Sequence, residues 1–164
     1  MSAAAPRITQ KITPFLWFDS EAEDAAKFYV SVFPDAAIGA IARQSPETGA
    51  HTGKAAGSVL TVAFTLHGQP FVALNGGPHF KINEAVSFVV NCESQDEVDY
   101  YWEKLAAGGP VEAQQCGWLK DRFGVSWQIV PAVLPELLGQ SPRVMQALLQ
   151  MKKIDIAALH KAAA

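Results

Sequence analysis

Two side chains stand out as able to do chemistry, His79 and Gln128, and neither belongs to a recognised catalytic motif. His79 follows Gly77 and Pro78 in the loop at residues 75–81 (NGGPHFK), where a rigid turn could aim it into a cavity. An imidazole titrates near neutrality, so His79 could act as a general base. The alternative is a loop histidine that makes one hydrogen bond. Asn75 could orient a substrate carbonyl or could serve as a turn residue.

Gln128 alternates with Trp127 and Ile129 along a strand-like segment, which predicts that its side chain faces the opposite way. A buried amide must be hydrogen-bonded, either to a ligand or to the protein. Several aromatic side chains could line an apolar cavity beside it, although aromatic residues on strands more often belong to a core. They are Phe15, Trp17, Trp118 and Trp127.

The two cysteines, Cys92 and Cys116, are too few for a disulfide scaffold and have no metal-type spacing. They are expected to remain reduced in a cytosol. Cys116, next to Gly117, could be an exposed nucleophile, but Lys120 is the only nearby base in sequence that could lower its pKa. A structural role is therefore favoured.

Composition excludes several classes of function. The 164 residues carry 13 Lys and Arg against 16 Asp and Glu, a formal net charge of −3, so there is no basic surplus for nucleic acid. No apolar run is long enough to cross a membrane, and residues 1–10 lack the apolar stretch of a secretory signal. We expect a cytoplasmic protein of one domain or two very small ones, with no nucleic-acid or membrane partner.

Hydrophobic periodicity predicts the same order of elements twice. The first set has a strand over 11–18, a helix over 21–33 that Asp19 or Ser20 is expected to cap, and strands over 36–44, 58–66 and 69–74. The second has a strand over 85–92, a helix over 93–107 and short strands over 110–115, 117–120 and 125–130. Core-type residues recur 73 positions apart: Phe15 and Phe88, Ala25 and Val98, Phe28 and Tyr101, Tyr29 and Trp102, Val32 and Leu105. This pattern favours a duplicated βαβββ module.

After Pro131 the pattern becomes helical. Short helices are predicted over 132–138 and 142–151, the second capped by Ser141, and a last one is capped by Asp155. Their apolar faces are expected to pack on the core or on a second subunit.

Three segments, FLWFDSEAEDAAKFYVSVFPD, GQPFVALNGGPHFKINEAVSFVV and CGWLKDRFGVSWQIVP, resemble the PhnB-like family of the vicinal oxygen chelate superfamily, with the glyoxalase I and bleomycin-resistance proteins. The resemblance implies an α+β fold in which two βαβββ modules form a cupped mixed sheet, usually within a homodimer. The expected organisation is a flexible arm over 1–10, modules over about 11–76 and 84–131, and a helical extension over 132–164.

Metal-using members of that superfamily place one His, Glu or Gln ligand on each of four strands. The matching positions here are Thr13 or Phe15, Ala73 or Asn75, Ala85 or Ser87, and Gln128, none of which is His, Asp or Glu. Amide oxygens alone hold transition metals weakly, so we expect no metal and no cofactor. Some relatives carry the label 3-demethylubiquinone 3-methyltransferase, but Pro78 blocks the helix that should follow a cofactor-binding glycine loop at Gly76-Gly77.

The leading expectation is a homodimer that binds a small organic ligand in its cup without metal. Its expected ligand-binding residues are Phe15, Trp17, Asn75, His79, Trp118 and Gln128. The alternative is a metal-independent isomerase, lyase or transferase with His79 as its catalytic base. A third possibility is an interaction protein whose C-terminal helices recruit a partner. Whether the protein is an enzyme stays open at this point.

Overall fold

The computed structural model describes residues 10–164, which form two compact units. One unit ends at Ile82 and the other begins at Asn83. The arm predicted over residues 1–10 lies, apart from Gln10, outside the described residues. Each unit combines one small mixed sheet with helices, so the predicted α+β class is confirmed. The cup that both modules were expected to form stays a prediction.

The first unit contains a four-stranded sheet and two helices. Its elements are β1 (Phe15–Phe18), α1 (Ala22–Val32), β2 (Ala36–Arg43), α2 (Pro46–Thr52), β3 (Val59–Leu66) and β4 (Gln69–Asn75). The strand order is β1-β4-β3-β2, with β1 parallel to β4 and the other pairs antiparallel. Pro14 precedes β1 at one edge of this sheet, where a missing backbone donor is tolerated.

Helix α1 packs on one face of this sheet through an aromatic stack. The ring of Tyr29 stacks on Phe64 at 5.9 Å, and Phe64 stacks on Phe71 at 5.3 Å. Ala22, Ala25 and Ala26 are completely buried, and their small side chains let the helix lie close to the strands.

The second unit repeats the pairing of the first with one strand fewer. Its elements are β5 (Ser87–Cys92), α3 (Gln95–Ala106), β6 (Trp118–Lys120) and β7 (Ser126–Pro131). The strand order is β5-β7-β6, and β5 is parallel to β7 as β1 is to β4. Two of the residue pairs 73 positions apart, Ala25 with Val98 and Val32 with Leu105, are buried in both units. The shared topology agrees with a duplicated module.

The structure differs from the predicted elements at three places. The strand predicted over 110–115 is instead a 3₁₀ turn at Val111–Ala113, and only Gln115 forms an isolated bridge, with Trp118. Helix α2 was not predicted, because it lies in a segment rich in Gly, Ser and Pro. It begins with a capping box in which the Ser45 and Thr48 side chains bond each other's backbone N–H. Helix α1 begins without the side-chain cap predicted from Asp19 or Ser20.

The C-terminal segment forms three helices on the second unit: α4 (Leu134–Gln140), α5 (Pro142–Leu149) and α6 (Ile156–Ala163). Their apolar faces, together with Ile154 between α5 and α6, form a small core of Leu134, Leu137, Val144, Leu148, Ile154 and Leu159. Ser141 and Asp155 cap α5 and α6, as the sequence predicts. The Gln95 side chain donates to the carbonyl of Ile154 and accepts from the N–H of Ile156, which ties this segment to α3. None of the helices in residues 10–164 is long and apolar enough to cross a membrane.

Candidate functional site

Each sheet has an open face, defined here as the face opposite its buried apolar side chains. In the first unit the buried face includes Leu16 and Phe18, so by strand alternation Phe15 and Trp17 lie on the open face. Their cross-strand partners on β4 are Val72 and Leu74, both partly exposed. Phe15 is 61% exposed, an unusual state for a phenylalanine on a strand.

The Trp17 ring is held in place by the loop that follows β4. Its indole N–H donates to the carbonyl of Gly77 at 2.9 Å, and Phe80 meets the ring edge-on at 5.0 Å. Gly76 lies directly against the indole, because a Cβ at that position would be 2.2 Å from a ring carbon. The loop therefore requires glycine at residue 76, and the Trp17 ring is held in a fixed position.

His79 lies in the same loop and is exposed. The Cδ2 atom of its ring would be 3.7 Å from a Cβ placed on Gly77, which has a φ of +87°. No hydrogen bond joins the imidazole to any other side chain or backbone group in the described part of the chain. Its two ring nitrogens are thus open to solvent or to a ligand.

Asn75 has a structural position that the sequence did not reveal. Its Oδ1 accepts from the N–H of Ala22 at 2.8 Å, which satisfies the first turn of α1, and its Nδ2 donates to the carbonyl of Val59 at 3.1 Å. The residue is 7% exposed and lies on the buried face, level with Phe18. These contacts make Asn75 a link between α1, β3 and β4.

A cleft of about 280 Å³ borders Asn75 near the start of α1. Its other lining residues are Ser20, Glu23, Asp24, Lys54, Ser58 and Val59. The ammonium of Lys54 is paired with Asp19 at 2.5 Å, so the one cation of the cleft already has a carboxylate. Every polar atom of Asn75 that lines it also has a protein partner.

The open face of the second unit is more polar. Gln128 is partly exposed between the buried Trp127 and Ile129, and its Nε2 donates to the Ser87 hydroxyl at 2.9 Å. Its cross-strand neighbours are Trp118 and Val89, which place an aromatic and an aliphatic side chain on either side of the amide. No hydrogen-bond partner for Gln128 Oε1 exists among the described residues.

Trp127, which the sequence offered as a candidate lining residue, lies instead in the core. It is 3% exposed, and its indole N–H donates to Asp121 Oδ2 at 2.9 Å. Asp121 is itself buried and accepts from the N–H groups of Phe123 and Val125 through its other oxygen. This carboxylate fixes the turn between β6 and β7.

The two cysteines differ in environment and both are free. Burial raises the pKa of the Cys92 thiol to about 11, with Glu97 adding to the effect. Cys116 is partly exposed at a φ of +52°, in the two-residue turn with Gly117. Its backbone N–H donates to the carbonyl of Met151, so this turn also holds the C-terminal segment.

The donors at the four positions where metal-using relatives keep ligands do not fit a catalytic divalent metal. Ser87 and Gln128 offer only an alcohol and an amide on the open face, and the Asn75 amide is engaged on the buried face. Within residues 10–164 there is no cluster of three or more His, Cys, Asp or Glu side chains that could hold a metal ion. Catalytic zinc and similar ions usually take about three such ligands.

Comparison with solved structures places this fold in a known class. A PhnB protein from Bacillus cereus, described as a putative 3-demethylubiquinone-9 3-methyltransferase, is 34% identical, with a TM-score of 0.65 over 75% of this chain and 100% of that one. A Pseudomonas aeruginosa protein is 22% identical over 75% of this chain and 98% of its own, with a TM-score of 0.57.

A mutant of the fosfomycin resistance protein FosX from Listeria monocytogenes, complexed with Mn(II) and 1S,2S-dihydroxypropylphosphonic acid, shares the fold. It is 13% identical over 80% of this chain and 99% of its own, with a TM-score of 0.55. These neighbours define a fold of the vicinal oxygen chelate superfamily. The family model described as 3-demethylubiquinone-9 3-methyltransferase matches residues 10–130. The chain therefore belongs to that family, the PhnB-like proteins. Among curated proteins no match is found.

The structure groups the predicted site residues by unit. Phe15, Trp17, Asn75 and His79 belong to the first unit, where Trp17 on β1 contacts the loop that carries His79, and Trp118 and Gln128 are cross-strand neighbours in the second. Three polar residues beside Gln128 were not singled out as a group from the sequence: Ser87, Ser126 and Lys120. Their alternation with Phe88, Trp127 and Leu119 was the available signal, but only the strand register aligns them.

Proposed function

We propose that this protein binds a small, partly aromatic organic ligand on its open sheet faces, without a metal ion and as a homodimer. The observation that carries the proposal is the aromatic group of Phe15, Trp17 and Phe80. Two of its members, Phe15 and Phe80, are 61% and 68% exposed. Exposed apolar groups of this kind commonly mark binding sites, and flat rings stack well on aromatic walls.

The fixed position of the Trp17 ring supports binding rather than simple exposure. Gly76 packs against the indole of Trp17, and the Gly77 carbonyl accepts its N–H. A site whose side chains are already fixed loses little conformational entropy when a ligand arrives. The open face of the second unit has a polar group of its own for a ligand, because Gln128 Oε1 has no partner in the described chain.

Methyl transfer, the reaction in the family's description, has less support from these residues. The N–H groups of Gly76 and Gly77 already donate to the carbonyls of Phe18 and Asp19. They are therefore not available to a cofactor, and Pro78 follows directly in a turn rather than in a helix. We expect no consumption of S-adenosylmethionine.

A ligand screen by thermal denaturation tests the proposal. EDTA-treated protein is heated with a set of small aromatic compounds, and we expect at least one to raise the Tm. The Phe80→Ala variant should lose most of that shift, whereas Val111→Ala, a control at a residue 60% exposed outside the aromatic group, should keep it. Equal ligand-induced Tm shifts in the two variants would mean that the aromatic group is not part of the binding site.

A second candidate function, metal-independent catalysis, is favoured by one feature. The His79 imidazole has no hydrogen-bond partner among residues 10–164, and it lies on a loop that Gly76 and Trp17 hold in place. This is a suitable setting for a general base. Compounds identified by the screen would be incubated with the protein and followed by mass spectrometry. His79→Ala should abolish product formation while His51→Ala, at another exposed histidine, should not. Absence of any product would leave binding as the function.

A further inference from the structure

Three hydrogen-bond donors form a row across the open face of the second sheet. Ser87 on β5, Ser126 on β7 and Lys120 on β6 are aligned by the strand register. Neighbouring strands are about 4.8 Å apart, so adjacent side chains of the row can reach the two oxygens of one small oxyanion. This row lies beside Gln128 and Trp118, which occupy the next level of the same face.

Ser126 is the most unusual member of the row. It is 1% exposed, yet its hydroxyl makes no hydrogen bond with any residue that the structure describes. No fully buried side-chain nitrogen or oxygen in the described chain lacks a partner, so this hydroxyl still reaches the surface. This hydroxyl has no described protein partner to give up when a ligand binds, so it can donate a hydrogen bond to one.

The hydroxyl of Ser87 can also donate a hydrogen bond. Its oxygen accepts from Gln128 Nε2 at 2.9 Å, which leaves its own hydrogen free to point along the row. The Gln128 bond fixes the position of this oxygen. Both serines can therefore donate to the same acceptor.

Lys120 is already bound to a carboxylate of the chain itself. Its ammonium forms an ion pair with Glu84, just before β5, whose side chain is 64% exposed. The hydrogen bond from Lys120 lowers the pKa of Glu84, so Glu84 is anionic at neutral pH. An exposed ion pair contributes little stability, and a competing carboxylate can replace Glu84 at small cost.

We propose, extending the proposed function, that the open face of the second unit is a binding site of its own for an aromatic carboxylate, whose carboxylate group binds to Ser87, Ser126 and Lys120 and displaces Glu84. The aromatic part of the ligand can lie against the side chain of Trp118. Trp118 is two residues from Lys120 on the same strand face, about 6.7 Å away along β6. A ring lying on Trp118 thus leaves the carboxylate beside Lys120.

The test compares carboxylates with their uncharged amides by isothermal titration calorimetry on the full-length protein. The probes are benzoate, phenylacetate, 3-phenylpropionate and 2-naphthoate, each paired with its own amide, and inorganic phosphate serves as an anion without a ring. At least one carboxylate should bind about tenfold or more tightly than its amide, because the charge-assisted bonds are lost in the amide. Phosphate should bind more weakly than that carboxylate.

Single substitutions test which residues cause the preference for the carboxylate over its amide. Lys120→Met should remove the preference for the carboxylate, and Ser126→Ala should reduce it several-fold. Glu84→Gln should strengthen carboxylate binding, because Lys120 no longer has an internal partner. Lys104→Met and Glu103→Gln, at exposed positions on α3, are the matched controls and should change nothing. Tm values show whether each variant is folded.

The outcomes separate the two proposals. If a carboxylate and its amide bind equally well, or if the preference survives in both Lys120→Met and Ser126→Ala, the carboxylate site is wrong while aromatic binding stands. If neither member of any pair binds, both proposals fail.

Discussion

The position of one glycine determines how the aromatic group of the first unit is held. Gly76 lies so close to Trp17 that a methyl group would overlap the indole. Gly76→Ala should push the ring away and lower the free energy of unfolding by about 1–3 kcal/mol. Chemical denaturation and tryptophan fluorescence measure both effects.

Gly139 provides the matched control for that change. It lies within α4 and a Cβ there would meet nothing within 4 Å. Gly139→Ala should be neutral or stabilise by about 0.5–1 kcal/mol. If both alanine variants unfold at the same denaturant concentration as the natural protein, the contact of Gly76 with Trp17 does not matter.

Cys92 makes stability depend on pH in the alkaline range. Its pKa in the folded protein is about 11, above the ordinary value of 9.0, so the folded state keeps a proton that the unfolded chain gives up. The Cys92 contribution is complete below about pH 9 and is lost as the pH rises towards 11. Unfolding free energies measured at pH 8 and pH 10.5 should show a smaller fall in Cys92→Ala than in Cys116→Ala. Equal falls would mean that Cys92 is not responsible.

At the residue scale, the sequence predicts the direction of individual side chains along a strand, but it does not predict their hydrogen-bond partners. The alternation that separates Gln128 from Trp127 was readable, because strand geometry depends only on neighbouring residues. The partner of Asn75 was not readable, since Ala22 is 53 positions away and is brought close only by the fold. The row of Ser87, Ser126 and Lys120 depends on register between three strands, which no local pattern reports.

At the scale of elements, the N-terminus of helix α1 depends on the side-chain amide of Asn75, at the end of β4. Glu21 at its N-cap makes no side-chain cap, and Asn75 supplies the missing acceptor from the end of β4. Asn75→Ala removes this acceptor and the donor to Val59, so we expect a loss of about 1–3 kcal/mol in the free energy of unfolding. Urea denaturation measures the change.

An exposed asparagine on β5 serves as the comparison for Asn75. Asn91→Ala should change stability by less than about 0.5 kcal/mol. If instead Asn75→Ala retains full stability and loses only ligand binding, Asn75 belongs to the binding site as the sequence first suggested.

Elements with strong periodicity were predicted to within a few residues, and those set by local capping or tight turns were not. Helix α3 was expected over 93–107 and occurs at Gln95–Ala106, because its apolar face repeats regularly. The segment at Val111–Ala113 forms a 3₁₀ turn and is followed by a tight turn at Cys116 and Gly117, both with positive φ. Its few residues carried no pattern that distinguishes a short strand from a turn.

At the scale of the whole molecule, the repeated topology and the family relationship agree. Both units pair their first strand in parallel with their last, as the duplication in sequence predicts. The residues where a metal would be held are alcohols and amides rather than imidazoles and carboxylates. This donor set is the reason for proposing that the protein binds an organic molecule without a metal ion.

Native mass spectrometry of EDTA-treated protein tests the central claim, binding without metal, most directly. The protein is incubated with the aromatic compounds that raise its Tm, with and without added Mn²⁺ or Zn²⁺. We predict a dimer that carries the compound and no metal ion, with the same occupancy in the presence of either ion. A compound that binds only when one metal ion per chain is also bound would contradict the proposal.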